Sequence, residues 1–373
     1  MRVAVVANSA WYLFNFRLNL MRALRAHGCE VLAIGTADGY EHVFAEHGIA
    51  FAPFPASASG TNAIREIRAI GRLARTLRDA RIELVFSYTP KGNIYSALAG
   101  RRAGARCVPN VSGLGRTFIA PSWYTPVVRH LYASAFRRVV QVFFQNPDDL
   151  KQFVDQRLVA PSLAQVLPGS GVDLKRFEPE PLPDGFKTAP IFLMVARVLW
   201  DKGVREYVEA ARIVRRSHPG ARFQLLGVLG ADNPSAVPEA TMRSWVEEGV
   251  IEYLGSSRDV RPHLAAAHCI VLPSYREGTP RTLLEGASMG RPVIATDVPG
   301  CRETLQPEIT GFLCRVRDAA DLARTMARLA DLPRDRVMAM GDAGRRLMEL
   351  KFNEQGVIER YLDVVDRVRS AKP

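Results

Sequence analysis

Two glutamates eight positions apart, Glu277 and Glu285, stand in the segment SYREGTPRTLLEGASMG, residues 274–290. Gly278 follows the first, and Pro280 comes two residues later. The apolar run CIVLPS (269–274) reads as a buried strand that stops just before Glu277, which puts Glu277 and Gly278 on the loop at the strand's carboxyl end. Gly278 permits a tight turn or a close approach of backbone to a ligand. The spacing predicts a helix over 280–289, capped by Thr279 and started by Pro280, with Leu283, Leu284, Ala287 and Met289 making most of its surface apolar. The first amides of such a helix, around Arg281 and Thr282, carry about half a positive charge and form a ready phosphate site. Glu285, one to two turns in, is then placed to accept bonds from hydroxyls of the same bound molecule. A plainer role is also open to it. Arg281 stands four residues earlier, and an exposed pair at that spacing is worth about 0.3–0.5 kcal/mol, although base before acid is the less favourable order.

Positioning these residues is the task of a repeated strand-and-helix pattern. Short apolar runs at 2–7, 30–35, 83–88, 106–111 and 139–145, then at 190–196, 221–227, 250–254, 269–273, 292–296 and 311–314, alternate with helix-length segments. Such runs indicate buried parallel strands in βαβ units. The two series flank the Gly/Pro-rich stretch LPGSGVDLKRFEPEPLPDGFKTAP (167–190), which reads as an interdomain connection. The expected architecture is α/β, with two Rossmann-like, doubly wound domains facing each other across a cleft: residues 1–172, a linker 173–190, residues 191–353, and a C-terminal helix 354–373 that can cross back to the first domain. Ligands of doubly wound sheets bind beyond the strands' carboxyl ends.

Several functions are set aside by what the chain lacks. There is no GxxxxGK[ST], which argues against a P-loop enzyme. NSAWYLFNFR (8–17), after the first strand, contains no glycine, so a nicotinamide site of the usual kind is not expected. There is no HExxH or histidine ligand spacing, so neither a metal site nor a cofactor is expected. The five cysteines form no CxxC pair and read as reduced core residues of a cytoplasmic protein. No apolar run approaches the roughly 20 residues of a membrane span, and MRVAVVAN reads as a first strand rather than a signal peptide. A net charge of +12 and a pI near 9.8 point to an anionic partner. No nucleic-acid-binding module is present, so nucleic acid is not expected.

The E-x7-E segment resembles the signature of retaining glycosyltransferases of the GT-B fold, family 4. MVARVLWDKG (194–203) resembles the family's G-R-x-x-x-x-K-G element, with Ala196 in place of glycine. GSGVDLKRF (169–177) resembles its linker motif, and GRPVIATDVPGCRE (290–303) the segment after the E-x7-E helix. In the N-terminal half, FNFR (14–17), YTPKGNIYS (88–96), SGLGRTFI (112–119) and FFQNPDDL (143–150) resemble the subgroup that extends undecaprenyl-diphosphate-linked sugars, such as N-acetylgalactosaminyltransferases and capsule transferases. The resemblance implies a UDP-sugar donor in the C-terminal domain. Arg197 and Lys202 would hold its diphosphate, Glu285 its ribose hydroxyls and Glu277 its sugar. Gly227 and the YLGSS turn with Leu254 would flank the base, which the resemblance suggests is uracil.

It also implies retention of configuration. The sequence offers no motif for a second, nucleophilic carboxylate on the opposite face. Same-face attack is therefore expected, with the departing diphosphate taking the acceptor's proton. Many relatives carry a histidine near the donor sugar; NVSGLGRTF has none at the comparable turn, and His130 reads as structural. Cationic side chains and the lack of a DxD imply independence from metal.

The acceptor side is read from charge. Residues 84–147 contain no Asp or Glu but eight basic residues, Lys91, Arg101, Arg102, Arg106, Arg116, Arg129, Arg137 and Arg138, with Phe118, Trp123 and Tyr124 among them. In residues 61–80, Arg65, Arg68, Arg72, Arg75 and Arg78 fall at helical spacing, opposite Ile64, Ile67 and Leu77. Such surfaces suit anionic membrane. A polyprenyl-diphosphate-sugar acceptor would require this, with Lys91, Arg116 and Arg17 as candidates for its diphosphate. The first domain would thus bind acceptor and membrane, with the protein peripheral on the inner face of the cell membrane. The competing enzyme class is a UDP-sugar 2-epimerase, which shares the two-domain architecture.

Overall fold

The computed structural model of the chain describes residues 1–55, 63–114, 125–231 and 233–371. They form two units, Met1–Ser170 with Gln355–Pro373, and Gly171–Glu354. The first is built on β1 (Arg2–Val6), β2 (Glu30–Gly35), β3 (Ala50–Pro53), β4 (Leu84–Tyr88), β5 (Arg106–Val111), β6 (Val142–Phe144) and β7 (Ala164–Val166), ordered β3-β2-β1-β4-β5-β6-β7. The second is built on β8 (Ile191–Val195), β9 (Arg222–Leu226), β10 (Glu252–Tyr253), β11 (Cys269–Leu272), β12 (Val293–Thr296) and β13 (Gly311–Cys314), ordered β10-β9-β8-β11-β12-β13. Both sheets are parallel throughout. Strand order reverses between β1 and β4 in one unit and between β8 and β11 in the other. In doubly wound sheets these are the switch points where ligands bind.

Every apolar run read as a strand contains one, and the runs inside the sheets are covered on both faces and so need apolar side chains at successive positions. Two strands had no such run. β3 and β7 are edge strands, partly exposed along their length, and an edge does not demand a continuous apolar sequence.

The segment 173–190, expected as a linker, packs within the second unit. Phe177, Leu182 and Phe186 are buried in that unit's core. Its carbonyls are satisfied from a distance. The fully buried Arg291 donates to the carbonyls of Glu180 (3.0 Å), Pro181 (2.9 Å), Leu264 (3.1 Å) and Ala265 (3.0 Å). Arg345 donates to Phe177 O (2.8 Å) and Ser288 O (3.1 Å). The final helix, Glu354–Ser370, places Val357, Tyr361, Val364 and Val368 in the core of the first unit with Val3, Val5 and Phe86.

The helix Ala63–Asp79 departs from the expected pattern. Ile70, Leu73 and Leu77 are buried, but Ile64 and Ile67 are 63% and 61% exposed beside Arg65 and Arg68. The reason is Glu66, which takes the inward position of the first turn. Its carboxylate accepts from Lys91 Nζ (3.1 Å) and from the Tyr95 hydroxyl, both on the helix Pro90–Ala103. That pairing turns the two isoleucines away from the core.

Candidate active site

β8 and β11 leave the second sheet side by side. After β8 the chain makes a 3-10 turn, Trp200–Lys202, and enters the helix Val204–Ser217 through Gly203, at φ +77°. A Cβ at Gly203 would overlap the carbonyl oxygen of Pro273, just past β11. Glycine thus serves twice, for the left-handed backbone and for the contact between loops. The Asp201 carbonyl accepts from the Tyr275 amide (3.0 Å) and the Ser274 hydroxyl (3.2 Å). On the other side, the Thr296 hydroxyl at the end of β12 donates to Ser274 O, and the Glu277 amide donates to Pro299 O (3.2 Å). Three strand-end loops are therefore tied together.

On this platform Lys202 Nζ donates to Glu277 Oε1 at 2.5 Å, with the two side chains 19% and 14% exposed. A second tie was not visible in the sequence. Tyr275 donates its hydroxyl to Glu206 Oε1 (2.8 Å) on the helix Val204–Ser217, and the Arg317 guanidinium lies 4.5 Å from the Tyr275 ring centre. Burial and the neighbouring Glu206 push the Tyr275 hydroxyl up to about 12. The partners lie 69 residues apart, and neither type nor spacing links them beforehand.

The helix after Glu277 spans Arg281–Ser288. Thr279 does not cap it. Pro280 holds the cap position, its carbonyl accepting from the Leu283 amide (3.2 Å), and no side chain caps the first turn. Proline's fixed φ, here −74°, suits this boundary. Leu283, Leu284 and Ala287 are buried. Arg281 Nε donates to Glu285 Oε1 (3.1 Å), but with the side chains 15% and 13% exposed this is no surface pair. Burial pushes the Glu285 carboxyl above its usual range, against the opposing pull of Arg281 and Arg176. Arg176, in the segment 173–190, is thereby brought near Glu285, a neighbour that sequence spacing did not suggest. The Thr282 hydroxyl is buried and has no hydrogen-bond partner among the described residues.

Gly227 and Leu254 belong to a third cluster. A Cβ at Gly227 would overlap the Ala196 carbonyl oxygen. The Gly227 amide donates to Gly255 O (2.7 Å), the Tyr253 hydroxyl to Gly227 O (2.9 Å) and the Leu254 amide to Leu225 O (2.9 Å). Arg197, next to Ala196, is exposed, and its side chain makes no hydrogen bond or ion pair among the described residues. The structure thus joins Lys202 to Glu277, Arg281 to Glu285, and Gly227 to the turn at Leu254 and the backbone beside Arg197.

In the first unit, Lys91 is paired with Glu66. Arg17 is 3% exposed, its guanidinium 4.0 Å from the ring centre of Tyr88, the last residue of β4, and 3.1 Å from the Tyr12 hydroxyl. Arg116 lies outside the described residues, as do Phe118, Trp123 and Tyr124. The start of the helix Ala10–Ala26 is filled by the protein's own groups: Ser9 accepts from the Tyr12 amide, and Asp38 from the Trp11 amide. All five cysteines are buried and unpaired, and burial pushes the thiols of Cys107 and Cys314 up to about 12. No described helix is long and apolar enough to cross a membrane.

Comparison with known proteins accounts for both units. Residues 16–169 match the glycosyl transferase 4-like domain, and residues 189–331 match the glycosyl transferases group 1. The chain is 26% identical to the N,N'-diacetylbacillosaminyl-diphospho-undecaprenol alpha-1,3-N-acetylgalactosaminyltransferase of Campylobacter jejuni, over 99% of each chain. It is 24% identical to the UDP-Gal:alpha-D-GlcNAc-diphosphoundecaprenol alpha-1,3-galactosyltransferase of Escherichia coli, over 74% of each. In fold it is similar to Anabaena HepE, solved in complex with UDP-glucose, with a TM-score of 0.80 at 15% identity over 98% of this chain and 100% of that one. With two parallel-sheet α/β units, each matched in its proper half, the chain belongs to the family 4 glycosyltransferases of the GT-B fold.

Proposed function

We propose that this glycosyltransferase moves a hexose or N-acetylhexosamine from a UDP-sugar to a polyprenyl-diphosphate-linked sugar. Transfer retains anomeric configuration, needs no metal ion, and serves assembly of a bacterial surface or glycoprotein glycan. The observation that carries the donor half is the meeting of Lys202 and Glu277 at the switch point of β8 and β11, on the loop that leads into the helix Arg281–Ser288. The names of the Campylobacter and Escherichia relatives support the acceptor half.

In this reading residues 191–353 hold the donor. Breaking the sugar–phosphate bond leaves added negative charge on the diphosphate. Lys202, Arg197 and the amides at Arg281 and Thr282 stabilise it, and fixed donors and cations do this best where water is scarce. Glu285 accepts from the ribose hydroxyls, and Gly227 and Leu254 flank the base. Gly278 and Thr279 bring backbone up to the sugar. Glu277 accepts from its hydroxyls, and its negative charge favours positive charge developing at the reacting carbon. The acceptor hydroxyl attacks on the face the diphosphate leaves, and a diphosphate oxygen takes its proton.

Residues 1–172 take the acceptor at the inner membrane surface. Ile64 and Ile67 are exposed beside Arg65 and Arg68, and Val127 and Leu131 beside Arg129 on the helix Thr125–Phe136. Both helices pack against Pro90–Ala103. Apolar side chains next to arginines suit an anionic interface, where each basic residue contributes about 1 kcal/mol. Lys91 and Arg116 are the proposed ligands of the acceptor diphosphate. Arg17 acts from behind as a buried fixed charge.

The test is a panel of UDP-sugars with a short-chain polyprenyl-diphosphate sugar, products read by mass spectrometry and anomeric configuration by NMR. One UDP-sugar should give a product one sugar heavier, with the donor's configuration and undiminished by a chelator. Interconversion of the UDP-sugar without acceptor would instead indicate the epimerase, which the family matches do not favour.

A further inference from the structure

Arg17 is a buried cation without an ion pair. On the helix Ala10–Ala26 it is 3% exposed, no carboxylate among the described residues pairs with it, and its Nε has no hydrogen-bond partner there. An unpaired buried charge is costly for a fold to hold. The nearby chain offers little to offset it, since residues 84–147, which supply β4, β5 and β6, contain no Asp or Glu. What surrounds the guanidinium is aromatic: the ring centre of Tyr88 lies 4.0 Å from it and that of Tyr12 5.7 Å. Ring faces attract a cation but carry no net charge. The charge of Arg17 therefore stands at the carboxyl end of β4 with no ion pair to cancel it.

One polar contact leads out of this cluster. Arg17 Nη2 donates to the Tyr12 hydroxyl (3.1 Å), which accepts in that bond and keeps its own proton for another partner. Tyr12 is half-buried, and no acceptor for that proton is found among the described residues. A hydroxyl that accepts from a guanidinium is a stronger donor in turn, because linked hydrogen bonds polarise one another. The ring is also fixed in place. The Tyr12 amide donates to Ser9 Oγ (3.0 Å), and the ring centre lies 5.0 Å from that of Phe16 and 6.0 Å from that of Tyr88. The helix amides at this point are already taken, that of Tyr12 by Ser9 and that of Trp11 by Asp38. What is left is a preorganised hydroxyl donor, backed by positive charge, at the switch point of β1 and β4. Its chemical complement is an anionic oxygen.

We propose that Tyr12 donates its hydroxyl to a phosphoryl oxygen of the acceptor's diphosphate, and that Arg17 is the positioning residue behind it. This rests on the reading that the first unit takes a polyprenyl-diphosphate-linked sugar. It joins to Lys91, three residues beyond Tyr88, a ligand that no motif in the sequence marked.

The test is steady-state kinetics of the full chain with a short-chain polyprenyl-diphosphate sugar and the UDP-sugar that the natural protein accepts. Tyr12→Phe should raise the KM for the acceptor about tenfold or more, the usual worth of one hydrogen bond to a charged group, with kcat and the KM for the UDP-sugar little moved. A short-chain polyprenyl diphosphate without sugar should inhibit the natural protein and lose a similar factor against Tyr12→Phe. Arg17→Met should weaken acceptor use in the same way, with little further loss when Tyr12→Phe is added, and Arg17→Lys should recover part of it. An unchanged acceptor KM in Tyr12→Phe overturns the proposal, whether or not the Arg17 variants fold. So does a rise confined to the UDP-sugar. A raised acceptor KM with undiminished inhibition by the sugar-free diphosphate also overturns it, because the hydroxyl then serves the acceptor's sugar. Failure of the natural protein to extend any polyprenyl-diphosphate sugar would defeat the acceptor reading itself, and this inference with it.

Discussion

Glu285, which the proposed reading gives to the donor, sits in the fold at the expense of stability. Its carboxyl is held above the usual range by burial, with Arg281 and Arg176 offsetting only part of the cost. The sign follows from linkage. The fold binds the protonated form more tightly than the unfolded chain does, so stability falls as pH rises from the ordinary carboxylate pKa through the folded-state value. Glu285→Gln removes that penalty. The variant should melt at a higher temperature than the natural protein at pH 7, with the gap narrowing toward about pH 4, near the ordinary carboxylate value. Titration should show it binding UDP more weakly. A variant less stable at neutral pH would contradict the burial argument. Lys202→Ala should lower turnover by about 10²–10³-fold, the usual loss for one electrostatic contact to developing charge, in steady-state kinetics with saturating donor.

At the scale of elements, the site depends on loops locked to one another. Gly203 lets the turn after β8 touch Pro273, and Tyr275 ties the loop after β11 to the helix Val204–Ser217. Gly203→Ala combines an unfavourable left-handed backbone with a backbone clash. It should cost about 1–3 kcal/mol and lower turnover more than stability alone explains, because Lys202 is the preceding residue. Tyr275→Phe keeps the ring beneath Arg317 but deprives the buried Glu206 of a donor. Chemical denaturation should show a loss of about 1–3 kcal/mol. The elements also show which parts of the sequence were legible. Core strands announce themselves because both faces must be apolar. The edge strands β3 and β7, and the outward turn of Ile64 and Ile67, do not, because a partner elsewhere decides them: a neighbouring strand in one case, Lys91 and Tyr95 in the other.

Across the whole molecule, arginines hold irregular backbone in place. Arg291 supplies donors to four carbonyls from two separate stretches of chain. Arg291→Met should leave these acceptors buried and unmet and destabilise the second unit by roughly 3 kcal/mol or more. Arg291→Lys, which keeps the charge but not the planar fork, should fall between. Denaturant melts of the full chain would show the order, and equal stability of all three would remove the argument. The two ends of the second unit are also bound to each other: the Val172 amide donates to Phe352 O (2.8 Å) and the Glu354 amide to Val172 O (3.1 Å). Nothing in the composition of residues 167–190 distinguishes this packed segment from a loose connection, because the groups that fix it lie more than a hundred residues further on.

The sequence alone determined the parallel α/β class, the strands that cross each core and the motif residues that carry the family resemblance. These rest on local chemistry: apolar runs that must be covered, glycine and proline at turns, carboxylates and cations at strand ends. Tertiary structure decided which of those residues meet. It joined Lys202 to Glu277 and Arg281 to Glu285, added Tyr275 with Glu206, drew Arg176 toward Glu285, and buried Arg17 among tyrosines. Pairing of this kind depends on where distant strands end in a sheet, and one-dimensional spacing does not carry that information.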